Sequence, residues 1–232
     1  MKILAILPAY NEEASIKYVI EKIRQNAEAI DIIVINDSSK DRTSEIARSL
    51  NADVIDLPNN LGIGGAMQTG FKFAQRNDYD IAIQIDGDGQ HNPEYLNDIL
   101  KPVIEKKCDM AIGSRFIGFG KTGFQSSFLR RFGIKILSAA IKYATNFRIK
   151  DTTSGFRAIN RKVIAFFADD YPNDYPEPES IVMLNKKMFE IMEVPVVMSE
   201  RYGGKSSIKT IDTIYYMIKV LLAIFIDCFK YR

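Results

Sequence analysis

Five short apolar runs alternate with apolar stripes at helical spacing, and that alternation leaves few folds open. Ile3–Leu7, Ile32–Ile35, Val54–Leu57, Ile81–Ile85 and Met110–Ile112 each read as a buried strand. Between them, Ile16, Val19, Ile20 and Ile23 fall on one helix face, as do Ala66, Met67, Gly70, Phe71 and Ala74. Ile46, Ala47 and Leu50 mark a short helix, and Tyr95–Ile104 another. Strands and helices in this order predict an α/β fold with a mostly parallel sheet and helices on both faces. Crossovers in such a sheet are right-handed, and ligands sit beyond the carboxyl ends of the strands.

The polar residues gather at those ends. The most informative group is Asp86-Gly87-Asp88, which closes the run Ile81–Ile85 and opens Gly89-Gln90-His91-Asn92-Pro93. Two carboxylates separated by a glycine can hold a hard divalent cation and leave room for a phosphate-bearing ligand. Pro8-Ala9-Tyr10-Asn11-Glu12-Glu13, Asn36-Asp37-Ser38-Ser39 and Gly113-Ser114-Arg115-Phe116 follow three other strands, so four strand ends contribute to one rim. Asp37 can accept hydrogen bonds from a nucleobase or ribose, or form a turn. Ser38, Ser39 and Thr43 are candidate caps of the next helix. Asn60–Ala66 is glycine-rich and opens a helix, so Gly65 either lets the helix start approach a phosphate or permits close packing.

Composition narrows the function classes. At 232 residues the chain can bury one large α/β core with a small appendage. A net charge of +2 with scattered basic residues argues against nucleic acid as a partner. Cys108 and Cys228 provide neither a disulfide framework nor a zinc set, as expected in a reducing compartment. Met1–Pro8 lacks the basic start and long apolar stretch of a signal peptide, which predicts a cytoplasmic location. No G-x-G-x-x-G follows the first strand and no G-x-x-x-x-G-K-[ST] is present, so dinucleotide oxidoreductases and P-loop NTPases are disfavoured. The acidic, proline-rich stretch Asp169–Glu179 reads as a loop that separates the sheet-building half from the C-terminal helices.

Together, Pro8–Glu13, the Asp37 loop, Asn60–Gly65, Asp86–His91 and Asp151-Thr152-Thr153-Ser154-Gly155-Phe156-Arg157 resemble family 2 glycosyltransferases with the GT-A fold. Within that family the chain looks most like polyprenyl-phosphate sugar transferases of the dolichol-phosphate mannose synthase type. The resemblance runs from Lys2 to about Ile208. Asn36-Asp37-Ser38-Ser39 departs from the family, which more often has two acids there, and Asp37 aligns with the second. The resemblance implies a nucleotide pocket from Pro8, Tyr10, Glu12 and Asp37, with Asp86 facing the ribose or diphosphate. It implies Mg²⁺ or Mn²⁺ on Asp88, with Gln90. His91 is either a further ligand or a structural residue, because Mg²⁺ prefers oxygen.

The acceptor is read from the arginines. Guanidinium forks suit phosphate, and the resemblance implies that Arg115, Arg130, Arg131 and Arg201, with Ser154 and Lys205, hold a lipid phosphate. Such an acceptor is already an anion and needs no base, whereas a sugar hydroxyl does; Asp151, Glu177 and Glu179 are the candidate bases. The reaction implied is inverting transfer of a hexose or N-acetylhexosamine from a nucleotide-diphosphate sugar, UDP-sugar favoured, to polyprenyl phosphate, undecaprenyl phosphate in a bacterium. Two alternatives remain open: extension of a polysaccharide or glycolipid on a sugar hydroxyl, and a non-catalytic nucleotide-sugar-binding subunit.

Residues 1–207 read as the catalytic domain and 208–232 as an amphipathic C-terminal helix. Ile211, Ile214, Tyr215, Ile218, Leu221, Leu222, Phe225 and Ile226 form its apolar stripe, and Val220–Ile226 is far too short to span a bilayer. Arg201–Arg232 carries six Lys/Arg against two Asp. Such a helix suits an anionic membrane surface, the inner face of the cell membrane. Packing on the domain, on a second copy in a homo-oligomer or on a small membrane protein is the alternative.

Overall fold

A computed structural model of the chain describes residues 1–27, 29–118, 128–199, 202, 219–226 and 230. Seven strands form one sheet: β1 (Ile3–Ala9), β2 (Ile30–Asn36), β3 (Asp53–Asp56), β4 (Ile81–Gln84), β5 (Met110–Ser114), β6 (Arg157–Asn160) and β7 (Ile191–Pro195). Their order is β3-β2-β1-β4-β6-β5-β7. All are parallel except β6, which runs antiparallel to β4 and β5. The helices are α1 (Ile16–Asn26), α2 (Thr43–Ser49), α3 (Gly62–Arg76), α4 (Leu96–Ile104), α5 (Phe128–Thr145), α6 (Arg161–Asp169) and α7 (Pro176–Lys186).

Successive strand residues point to opposite faces, so each strand feeds two cores. Leu4 and Ile6 of β1 pack with α3, α5, α6 and α7. Ala5 and Leu7 pack with α1, α2 and α4. Both faces of the sheet are therefore covered, as the near-continuous apolar strands require. The chain folds as the expected mixed α/β sheet with helices around it.

Several local expectations are corrected. The stretch Asp169–Glu179 is a loop only to Tyr175, because Pro176 takes the first helical position of α7 and Pro178 lies within its first turn. Proline is accepted there, where its missing N–H is unpaired in any case. The sheet continues beyond that loop, since β7 pairs with β5. Strand β6 has no counterpart among the predicted runs because it begins with a charged residue, Arg157. Neither Ser38 nor Ser39 caps α2. Ser39 Oγ instead accepts the Asn11 amide at 2.9 Å, and Thr43 Oγ1 the Glu12 amide at 2.8 Å. These bonds tie the β1 and β2 loops into one wall.

Candidate functional site

The crevice opens where β1 and β4 part. In β1 the even-numbered residues face β4, since the Ile6 and Pro8 carbonyls accept the Ile85 and Gly87 amides at 3.1 and 3.4 Å. Proline has no N–H to continue that ladder, and the β1–β4 register ends at Ile6 and Gln84. Asp86-Gly87-Asp88 begins just past this point. The sequence-predicted residue Pro8 is thus a buried wall of the crevice, and Tyr10 stands exposed at its mouth. Glu12 accepts the Ser15 hydroxyl at 2.7 Å, and Ser15 is fully buried.

The two acids of Asp86-Gly87-Asp88 are held differently. Asp86 Oδ1 accepts Gln84 Nε2 at 3.0 Å. The Asp86 amide donates to His91 Nδ1 at 3.0 Å, which leaves the proton on Nε2, 3.5 Å from Asp86 Oδ2. His91 is buried and stacks on Phe156 with centroids 4.9 Å apart. Both ring nitrogens of His91 thus face Asp86. Asp88 is buried, and its Oδ1 accepts the Gln90 amide at 2.9 Å. The turn needs Gly89 at φ +79°, a conformation that side chains resist. The chain beyond β7 runs alongside: the Ser199 amide donates to Gln90 O and the Tyr202 amide to Asp88 O, each at 3.0 Å. Tyr202 also stacks on Tyr18 at 4.7 Å.

These donors fit a hard cation. Among the described residues no cluster of three or more acidic, His or Cys side chains could hold a metal alone. Mg²⁺ sites in phosphate chemistry commonly combine one or two carboxylates with the oxygens of the substrate. Asp88, with Gln90 beside it, is placed to supply that share.

Asp37 also anchors the loop before α3. Its side chain is buried, and its two oxygens accept the amides of Leu61 and Gly62 at 2.7 and 2.9 Å. Burial raises its pKa, and the two amides oppose the rise. The anion at the start of α3 is therefore the chain's own carboxylate. Gly65 lies one turn in, where a Cβ would meet Leu61 Cβ at 2.5 Å, so it serves packing.

On the other side of Asp86 lies the loop before β6. Gly155 permits a close approach: a Cβ there would lie 2.7 Å from Gln84 Nε2 and 3.5 Å from Asp86 Oδ1. Asp151 is fully buried and accepts Arg115 Nη2 at 2.6 Å and Nε at 2.7 Å. Arg115 Nη2 also donates to Thr153 Oγ1 at 2.9 Å. The pair corrects two expectations. Asp151 is a counterion and not a free base, and much of the Arg115 fork is already occupied. Ser154 is buried and turned inward, its Oγ accepting the Phe156 amide.

Arg157 stands in the Asp151–Arg157 motif, but the sequence reading assigns it no role of its own. It is 5% exposed and donates to Ser154 O, Ser180 Oγ and Glu177 O at 2.7, 2.7 and 2.9 Å. No carboxylate among the described residues lies within ion-pair distance of it. Burial lowers its pKa, while the nearby negative groups, Glu177, Asp151 and Asp86 among them, raise it. Burial likewise pushes the Glu177 carboxyl up, with Arg157 opposing and Asp86 adding to the rise. Glu179 shares the first turn of α7. Arg201 and Lys205, and the side chains of Arg130 and Arg131, lie outside the described residues.

Comparison with known proteins identifies this arrangement. The profile of the family described as Glycosyl transferase family 2 matches residues 4–167. A UDP-N-acetylglucosamine–dolichyl-phosphate N-acetylglucosaminyltransferase of Methanococcus voltae is 30% identical, with 84% of each chain covered. A polyprenol monophosphomannose synthase of Mycolicibacterium smegmatis is 28% identical over 94% of this chain and 84% of its own. Among solved structures, a glucosyl-3-phosphoglycerate synthase of Mycobacterium tuberculosis superposes with a TM-score of 0.74. It is 20% identical, over 98% of this chain and 80% of that one, a likeness in fold. Its complexes include one with Mn²⁺ and UDP-glucose. The match covers both the strands and the Asp86–Asp88 turn, and the chain belongs to the family 2 glycosyl transferases.

Proposed function

We propose that this glycosyltransferase moves a hexose or N-acetylhexosamine, with inversion, from a nucleotide-diphosphate sugar to a polyprenyl phosphate. The observation that carries the acceptor assignment is the Arg115–Asp151 pair. Asp151, a candidate base for an acceptor hydroxyl, is fully buried and its oxygens are bound to Arg115. An acceptor phosphate ionises by itself and needs no such base. The names of the two relatives above, each acting on a lipid phosphate, support the same class. A UDP-sugar donor draws support from the Methanococcus relative's name.

The division of labour follows the geometry. Asp86, oriented by His91 and Gln84, faces the donor. Asp88 and Gln90 hold Mg²⁺ or Mn²⁺, whose charge offsets that developing on the departing diphosphate. Pro8, Tyr10 and Glu12 line the nucleotide side. Arg201 holds the acceptor phosphate with Lys205, Arg130 and Arg131. Arg157 adds buried positive charge behind Asp86. The enzyme works at the cytoplasmic face of the membrane. Among the described residues no helix is long and apolar enough to cross a bilayer.

One observation favours a second reading. Glu177 is a half-buried carboxylate whose pKa burial raises, with the charge of Asp86 adding to the rise, an environment that suits a general base for a sugar hydroxyl. A donor screen with undecaprenyl phosphate and soluble sugars run in parallel separates the two. Product on the lipid alone supports the proposal, and product on the sugar alone overturns it.

A further inference from the structure

A cavity of 490 Å³ opens between α5 and the loop leading to Asp151, lined by Phe116, Ile134, Lys135, Lys142, Arg148 and Lys150 among others. We infer that it binds the headgroup of an anionic membrane phospholipid, through residues other than those assigned to the acceptor phosphate. Three observations carry this.

The charge is unbalanced. Lys135, Lys142, Arg148 and Lys150 are all exposed, and none has an ion pair or hydrogen-bonded side-chain partner among the described residues. By contrast, Lys219 and Lys230 near the C-terminus pair with Asp174 and Asp170 at 2.6 and 3.0 Å. Four unmatched positive charges therefore gather at the cavity, whereas those two tail lysines are paired.

The cavity is built. Lys135 and Lys142 are two helical turns apart and share one face of α5. Ser138, between them, hydrogen-bonds the Ile149 carbonyl. Glu193 of β7 accepts the amides of Lys150 and Asp151 at 3.0 and 2.9 Å. The loop carrying Arg148 and Lys150 is thus fixed to both neighbours, and Glu193 is occupied in fixing it.

The lining suits a lipid. Phe116, Ile134 and Ala139 are apolar, and the cavity is far larger than a free phosphate requires. Ile136 and Tyr143, 37% and 96% exposed, stand on the same helix. Cationic stems beside an exposed tyrosine and isoleucine match the boundary between headgroups and acyl chains. Neither Asp86, Asp88 nor Gln90 lines the cavity, so an anion here is not the one that attacks the sugar. Phe116 lies beneath the Arg115 guanidinium, 5.5 Å from its ring centre, so a docked headgroup would bring the bilayer to the acceptor side.

The test uses the full chain without donor or acceptor, so it stands whether or not the transfer reading does. Binding to phosphatidylglycerol-containing vesicles is compared with binding to pure phosphatidylcholine vesicles for the parent and for Lys135→Gln/Lys142→Gln. A surface charge near an anionic bilayer is worth about fivefold in binding, so the pair should lose about twenty- to thirtyfold on the anionic vesicles. Lys72→Gln/Lys101→Gln, with the same loss of charge elsewhere, should lose far less. Equal loss in both pairs would mean diffuse attraction and overturn the site. Saturable binding of inorganic phosphate that the Lys135/Lys142 pair abolishes, with vesicle binding unchanged, would assign the cavity to a soluble anion instead.

Discussion

Arg115 grips Asp151 with both arms of its guanidinium, Nη2 on one carboxylate oxygen and Nε on the other, and its own amide adds a third bond at 3.0 Å. The carboxylate is fully buried and the arginine nearly so. Breaking such a pair by removing one partner typically costs about 3–5 kcal/mol, because the other charge is left in a poor solvent. Arg115→Ala and Asp151→Ala should each lower the urea midpoint accordingly. In a double-mutant cycle the two losses should fall short of adding. A base acting in the chemistry would behave otherwise: Asp151→Asn would abolish turnover at unchanged stability.

Asp88 should be required for transfer and not for folding. Its neighbours in the turn are held by backbone bonds to Ser199 and Tyr202 that a substitution leaves in place. Asp88→Ala should therefore melt near the parent temperature, lose transfer and no longer respond to Mg²⁺ or Mn²⁺. Parent enzyme treated with chelator should stop and recover on adding either ion. Full turnover in chelator would remove the metal from the proposal.

Glu177 makes a prediction about pH. Burial raises its folded-state pKa above the ordinary carboxyl value, so the folded chain binds that proton more tightly than the unfolded chain does. The contribution to stability is fully present below the unfolded value and is lost as pH rises through the folded one. Glu177→Gln should thus be more stable than the parent at neutral pH, and the two should converge in acid. Denaturant midpoints across the acid range read this directly. If Glu177 is instead a base for a sugar hydroxyl, the same variant loses transfer to that acceptor while lipid-phosphate transfer persists.

Much of the fold was legible because its signal is local. An apolar run closed by Asp86-Gly87-Asp88 needs no distant information, and the turn lies at the end of β4 as expected. What the sequence did not disclose involves distant partners. Asp151 is held by Arg115, 36 residues earlier. Asp37 accepts the amides of Leu61 and Gly62, which fold back onto it. Arg157 was visible only as the end of a motif, since a charge at the start of a four-residue strand hides the apolar pattern of β6. Tyr202 was silent, being placed by a backbone bond and by its stack on Tyr18.

The C-terminal segment separates two roles by neighbouring residues. Residues 219–226 are helical. Val220 and Ile224 are buried in the core beside α6 and α7, whereas Leu222, Phe225 and Ile226 are 56%, 62% and 60% exposed. Removal of the whole tail would uncover that core, so point substitutions are the cleaner test. Ile224→Ala should cost about 2–5 kcal/mol of stability as a buried deletion. Phe225→Ser and Leu222→Ser should leave stability within about 0.5 kcal/mol. If the exposed face meets lipid, each of these should weaken vesicle binding about tenfold or more, the value of burying one such side chain. That loss should appear on zwitterionic and anionic vesicles alike, because it is apolar contact that is removed. Unchanged vesicle binding together with a smaller mass in solution would instead assign the exposed face to a second protein chain.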